Sequence, residues 1–401
     1  MKIVDKGGLA KVLAERQKKF RRVEIQVAKI ISRVKEGGEA ALRELTRTYD
    51  GVEIADFRVS RREIAEAKKE FLSREWQQRL ERVAGRIRRF AEKEVPKGFS
   101  IAERSGKMER VYVSVEPVGI YIPAGTAPLV STVLMAVVPA RVAGVKRIVI
   151  ATPPGKDGKA NRAVVATAAF LGVTEIYKIG GAQAIAALAF GAGRIPKVAK
   201  IVGPGNEYVS AAKRLLYGIV DLDCPAGPSE VVVFADKTAD PCFVKAELAS
   251  QAEHRNGLAV LITPDRRLLE KIAGAGIEGF AIYAEREKAL SLIEMIAPEH
   301  LVVMADKPEM LVGKIKSAGA IFIGDYTPVA VGDYLAGPSH ILPTSGTAVS
   351  FSGLSALTFL RSFARLKWDK PGLKEWAEDI SALADLEGLP EHKSSILTRL
   401  R

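Results

Sequence analysis

Short β-branched runs alternate with helix-length segments through the middle of this chain, and no other feature limits its fold as strongly. The first series is "VYVSVEPVGIYIP", "RIVIAT", "EIYKIG" and "AKIVG". A second begins near residue 230 with "EVVVFAD", "LAVLITP", "HLVVMAD" and "AIFIGD". Strands separated by helices imply crossover connections and mostly parallel sheets. Two α/β units in series are therefore expected, which also suits 401 residues. Residues 1–95 read as helices, with apolar residues at steps of three and four in "VEIQVAKIISRVKEGGEAALRELTRTY" and a Gly-Gly break at 37–38. From about 355 the chain reads as helical and charged, with Pro371 and Pro390 as breaks. No fixed short period is present, which excludes a solenoid.

Several functional classes drop out on composition. The N-terminus lacks the apolar core of a secretory signal. The most apolar stretch, 132–140, is too short to cross a bilayer and runs into Arg141, so no membrane partner is expected. Two cysteines, Cys224 and Cys242, form neither a disulfide framework nor a zinc ribbon, and a reducing cytoplasm is the expected location. The net charge of +13 is concentrated in residues 1–110, which hold 29 Lys and Arg against 18 Asp and Glu. Both signs are interleaved there at helical spacing, as in "RREIAEAKKEFLSREWQQRLERVAGRIRRFAEKE", without exposed aromatic interleaving. That is the pattern of solvated helices with i,i+4 ion pairs, and no nucleic-acid partner is expected.

The first series of strands ends in Gly- or Pro-rich turns: "YIPAGTAP" at 121–128, "GGAQ" at 180–183 and "GPGN" at 203–206. Open α/β sheets place ligands at such turns, where backbone N–H groups approach a phosphate closely. None is a G-x-G-x-x-G fingerprint, so spacing alone leaves nucleotide binding and plain tight turns both open.

Only four histidines occur, and each has a carboxylate or amide nearby. His254 follows Gln251 by three residues on one probable helix face. His300 follows Glu299 in "APEH". His340 lies seven residues after Asp333, and His392 five after Glu387. Imidazole, carboxylate and amide oxygen together suit Zn²⁺, with Mn²⁺ or Co²⁺ as substitutes. Cys224 lies near these motifs, and a small buried residue is expected there rather than a nucleophile.

The ordered motifs "YIPAGTAPLVSTVLM", "GGAQAIAALAFG", "KIVGPGNEYV", "PAGPSEV", "SQAEH", "APEHL" and "GDY…H.LPT" closely resemble the histidinol dehydrogenase family, from about residue 20 to the C-terminus. The resemblance implies a homodimer with one Zn²⁺ per subunit that oxidises L-histidinol to L-histidine with two NAD⁺, the last step of histidine biosynthesis. It implies Gln251, His254, Asp333 and His392 as zinc ligands, with His392 reaching the partner subunit's site. It places Ser229, His340 and Glu387 at the substrate, together with His300 and the zinc ligands. It places Tyr121, Gln183 and Asn206 at NAD. The implied fold is two incomplete Rossmann-like α/β units with a helical N-terminal segment and a small helical C-terminal extension. The expected limits are an extension at 1–20, a discontinuous first domain at 21–120 plus 231–354 with the metal and catalytic residues, an NAD domain at 121–230, and an extension at 355–401.

Physical chemistry assigns the catalytic pair its tasks. Removing a hydride from an alcohol needs a base for the hydroxyl proton, and a neutral imidazole at His300 suits it. Oxidising the resulting aldehyde needs an activated water, which Glu299 can deprotonate before His300 serves again. The sequence departs from the family pattern at Ser339, where asparagine is common, at Arg255 after "SQAEH", and in "YIPAGT". Oxidation of another primary alcohol, such as a sulfonated diol, is the alternative these departures leave open.

Overall fold

The β-branched runs of the second series are buried at every position in Glu230–Ala235, Leu258–Thr263 and His300–Met304, as strands covered on both faces must be. A computed structural model describes residues 1–124, 128–225, 227–253 and 256–401. In it these strands form a six-stranded parallel sheet in the order Lys2–Ile3, Phe280–Tyr283, Leu258–Thr263, Glu230–Ala235, His300–Met304, Ala320–Ile323. Val231 and Val233 face Val244, Leu248, Leu268 and Ile272 on one side. Val232 and Phe234 face Leu9, Leu292 and Ile293 on the other. The two-residue period of the strands thus distributes one apolar run between two cores.

The first series forms a five-stranded parallel sheet: Ile176–Lys178, Ile148–Thr152, Val118–Tyr121, Lys200–Val202, Asp221–Leu222. Helix Glu24–Asp50 packs on helices Gly181–Phe190 and Glu207–Leu216. Helix Arg61–Phe71, started by a capping box between Ser60 and Glu63, packs on Arg162–Phe170. Helix Arg74–Glu94 packs on Val130–Val142.

By contacts, the chain divides into two compact units: Met1–Glu94 with Val115–Phe359, and Val95–Ser114 with Leu360–Arg401. Both parallel sheets belong to the first. The sequence limits are corrected in three places. The helices between 24 and 94, expected with 231–354, pack on the five-stranded sheet, because their apolar stripes meet the alanine-rich helices covering it. Residues 1–20 are no separate extension, since Lys2–Ile3 adds an edge strand and Leu9 is fully buried in the core. The C-terminal region is not all helical: Leu360–Trp368 pairs antiparallel with Gly106–Ser114 along nine residues, and Phe99–Ala102 pairs on the other side. Three helices, Lys370–Glu375, Ala377–Leu386 and Pro390–Leu400, complete that second unit. The strand was missed because "LRSFARLKW" is mostly exposed and basic, so no buried face imposes alternation. Among the described residues, no helix is long and apolar enough to cross a membrane.

Candidate active site

The motif "APEH" marks the place where a helix must end and a central strand begin. Helix Arg286–Ile296 stops at Ala297, which adopts a left-handed φ of 44° and returns its N–H to Ile293 O. Pro298 cannot continue the helix. Glu299 O accepts from Ala320 N at 2.9 Å, and His300 opens its strand beside Val231. Glu299, His300, Ser229 and Glu230 therefore meet at the N-terminal ends of two adjacent strands.

The side chains of Glu299 and His300 are both buried. Glu299 Oε2 accepts from Ser229 Oγ at 2.7 Å and from Glu230 N at 2.8 Å, and lies 3.5 Å from His300 Nδ1. Burial outweighs both hydrogen bonds and pushes the carboxyl up to about 8. His300 Nδ1 lies 3.2 Å from Glu230 O. A carbonyl only accepts, so Nδ1 carries the hydrogen and Nε2 holds the free lone pair. Nε2 is buried with no hydrogen-bond partner among the described residues and lies 3.8 Å from Asp333 Oδ1. Desolvation lowers the pKa of His300, the nearby Asp333 opposes it, and the ring is neutral at neutral pH. A buried, neutral imidazole with an unengaged basic nitrogen is the arrangement a proton acceptor needs.

Two further elements frame the pair. Helix Pro241–Ala252, begun by the Asp240 cap, carries Gln251 in its last turn, with Oε1 3.4 Å from Ser229 Oγ. One turn earlier, Glu247 accepts from Val329 N at 3.0 Å and so tethers helix Val329–Tyr334, which carries Asp333. His340 Nδ1 donates to Asp333 O at 2.9 Å, and Nε2 accepts from the fully buried Thr132 Oγ1 at 3.0 Å. Desolvation pushes this imidazole down to about 4. Both of its nitrogens are engaged within the protein, and it braces the Asp333 segment against helix Val130–Val142.

Tyr121, Gln183 and Asn206 line one cleft of about 750 Å³, joined by Gly181, Asp50 and Pro228. Tyr121 ends its strand, and Gln183 and Asn206 lie beyond the C-terminal ends of theirs in the five-stranded sheet, the usual ligand edge. Gly181 N donates to Tyr121 Oη at 3.1 Å, at a φ of 66° that favours glycine. Gln183 Nε2 donates to Asp50 Oδ2 at 3.3 Å, and burial raises Asp50 to about 6. Asn206 caps helix Glu207–Leu216 by accepting from Tyr208 N and Val209 N. Close backbone turns and a helix N-terminus at the cleft wall fit a dinucleotide.

Six sequence-derived residues thus converge in the first unit: Ser229, Gln251, Glu299, His300, Asp333 and His340. His254 and Arg255 lie outside the described residues. Glu387 and His392 are exposed in the second unit, after helix Ala377–Leu386 and within Pro390–Leu400 respectively. Ser339 is buried and accepts from Ile341 N at 3.2 Å, a local turn contact. Cys224 is buried, and desolvation pushes its thiol well above the ordinary range, which suits packing rather than nucleophilic chemistry. Sequence reading missed Thr132, Asp50, Glu230 and Glu247. The first hides in an apolar run and the second in a charged helix, while Glu230, beside Ser229, sat in a recognised motif.

The zinc expectation can be tested on donor chemistry. Asp333 brings a carboxylate oxygen beside His300, Gln251 Oε1 lies 3.4 Å from Ser229 Oγ, and Gln251 Nε2 is buried with no hydrogen-bond partner among the described residues. Such oxygen donors, completed by imidazoles, fit Zn²⁺. Among the described residues, no three His, Cys, Asp or Glu side chains cluster as a metal site by themselves.

The family model described as histidinol dehydrogenase matches residues 13–400. A histidinol dehydrogenase of Methanothermobacter thermautotrophicus is 44% identical over 396 residues, covering 94% of this chain and 93% of the relative. One from Halalkalibacterium halodurans is 43% identical over 395 residues, covering 93% of each. A crystal structure of histidinol dehydrogenase from Elizabethkingia anophelis superposes with a TM-score of 0.87 at 36% identity, covering 94% of this chain and 92% of that one.

Proposed function

The chain belongs to the histidinol dehydrogenase family, NAD-dependent oxidoreductases of histidine biosynthesis, and from that premise we propose that its Glu299–His300 pair drives both oxidations from L-histidinol to L-histidine. The observation that carries this reading is the buried His300, tied at Nδ1 to Glu230 O and unpartnered at Nε2.

His300 Nε2 takes the hydroxyl proton of the alcohol. Glu299, raised to about 8 by burial, takes a proton from the water that hydrates the aldehyde when it is ionised, a form that grows as pH rises towards that value. The protonated His300 Nε2 returns its proton to the aldehyde oxygen as the water adds, and the neutral ring then takes the hydrate's hydroxyl proton in the second oxidation. Ser229 and Glu230 N–H hold the Glu299 carboxylate in place. When bound, NAD⁺ accepts a hydride in each oxidation, and Zn²⁺ supplies Lewis-acid character and a fixed point for the substrate's imidazole and amine. Gln251, His254, Asp333 and His392 would hold the zinc, His392 coming from the partner subunit of a homodimer. Glu387 would reach the substrate in the same way. Tyr121, Gln183 and Asn206 would hold NAD⁺ in the cleft they line. His340 is best read as positioning Asp333 rather than as a direct substrate contact, because both its nitrogens are engaged.

The test is stoichiometric. Zinc-loaded protein given L-histidinol and excess NAD⁺ is expected to form two NADH per histidine released. One NADH per turnover with aldehyde as the product would remove the second oxidation.

A further inference from the structure

A buried ion pair lies under the third glycine-rich turn of the cofactor cleft. Lys213, in helix Glu207–Leu216, and Asp223, just after strand Asp221–Leu222, are bonded to one another with side chains each 1% exposed. Their other hydrogen bonds among the described residues converge on one residue. Lys213 Nζ donates to Gly203 O at 3.0 Å, and Asp223 Oδ2 accepts from Gly203 N at 2.8 Å. Both polar backbone groups of Gly203 are therefore held by the pair.

Gly203 in turn touches the backbone of Tyr121. Its φ is 119°, and a Cβ there would lie 2.1 Å from Tyr121 O. Two and three residues further on, Gly205 and Asn206 form part of the cleft wall. Fixing Gly203 consequently fixes Tyr121 on one side and Asn206 on the other, both lining the same cleft.

Fold stability is a poor reason to keep this pair. Taking two charges out of water is costly, and well-packed apolar replacements of buried pairs are often neutral or stabilising. A turn that must stop within a fraction of an ångström of a ligand is a better reason, since misplacement weakens binding strongly.

We propose that Lys213 and Asp223 are positioning residues for the cofactor: the ion pair locks the Gly203 turn and so sets Tyr121 and Asn206 at the distance NAD⁺ requires. The inference rests on the reading that this cleft takes NAD⁺.

The test replaces both partners, Lys213→Met with Asp223→Leu, in the full-length protein. Readouts are thermal unfolding, calorimetric NAD⁺ affinity, and the KM values for NAD⁺ and histidinol. The expected result is a folded variant with a lower Tm, because Gly203 N and O lose their partners, and with NAD⁺ affinity weakened about tenfold or more. The histidinol KM, and kcat at saturating NAD⁺, should stay within about twofold. A folded variant that binds NAD⁺ as tightly as the parent overturns the proposal. If the apolar pair does not fold, Gly203→Ala, which displaces the same turn from Tyr121, should weaken NAD⁺ binding, and unchanged affinity there also overturns it. Gln183→Ala separates the two levels of the argument. If it weakens NAD⁺ binding while the pair variant does not, only the positioning role fails. If it leaves NAD⁺ affinity intact, the cleft itself has been misread.

Discussion

Replacing Glu299 by glutamine should make the protein more stable and its second oxidation much slower. The carboxyl is raised from 4.5 to about 8, with burial the largest cause. Between those values the folded chain holds a proton that the unfolded chain has released. The folded state is therefore penalised increasingly as pH rises through that window, and fully above it. At about 1.4 kcal/mol per unit, the penalty reaches roughly 3 kcal/mol by pH 7. A glutamine oxygen can accept the same two hydrogen bonds, from Ser229 Oγ and Glu230 N. Metal-free Glu299→Gln should accordingly gain on the order of 2–3 kcal/mol at pH 7. The gain should shrink as pH falls towards 4.5, where the carboxyl is protonated in both states. Urea unfolding at several pH values measures it. Alcohol oxidation should persist, while aldehyde oxidation should fall by roughly 10²–10⁴-fold, the usual worth of a general base. Rapid-mixing measurements of NADH, with histidinol and with histidinaldehyde in turn, separate the steps. Equal losses in both would refute a separate water base, and a stability difference that ignores pH would refute the electrostatic reasoning.

Other expectations follow from the same geometry. His300→Asn should slow both oxidations by about 10²-fold or more, and near-normal alcohol oxidation in a single turnover would remove it as the base. His254→Asn should lower zinc content by metal analysis together with activity, whereas full occupancy would reject it as a ligand. Mixing His392→Asn subunits with Glu299→Gln subunits should restore part of the activity if sites are shared across a dimer, and no recovery in confirmed mixed dimers would place His392 in its own subunit's site. Thr132→Val would leave His340 Nε2 without its donor and should cost about 1–3 kcal/mol in urea unfolding. An unchanged midpoint would show that the brace is not under load.

Energetically, the candidate site combines opposed demands. Burial that makes His300 a neutral base also penalises the Glu299 carboxylate, and Glu230, held up at about 7 mainly by desolvation, lies beside them with Arg16 as its partner. Three titratable groups at adjacent strand ends cannot all be optimal for stability, which is the usual sign of a region arranged for chemistry.

The sequence alone determined the two parallel sheets, because strands covered on both faces must be continuous apolar runs, and such runs are visible without any contact being known. It also marked the position of Glu299 and His300, since a proline between a helix and a β-branched run marks a forced boundary, here with one of only four histidines behind it. The tertiary structure decided where the helices between 24 and 94 pack, for an amphipathic stripe declares that it will be buried but not against what. It decided the strand Leu360–Trp368, whose pairing partner lies some 250 residues away. It alone joined Thr132 to His340 across 208 positions, and it buried Lys213, which in a string reads as one more solvated charge on a helix. Periodicity is a local property of the chain, whereas a hydrogen bond or ion pair between distant segments exists only once the core has brought them to the same place and excluded water from between them.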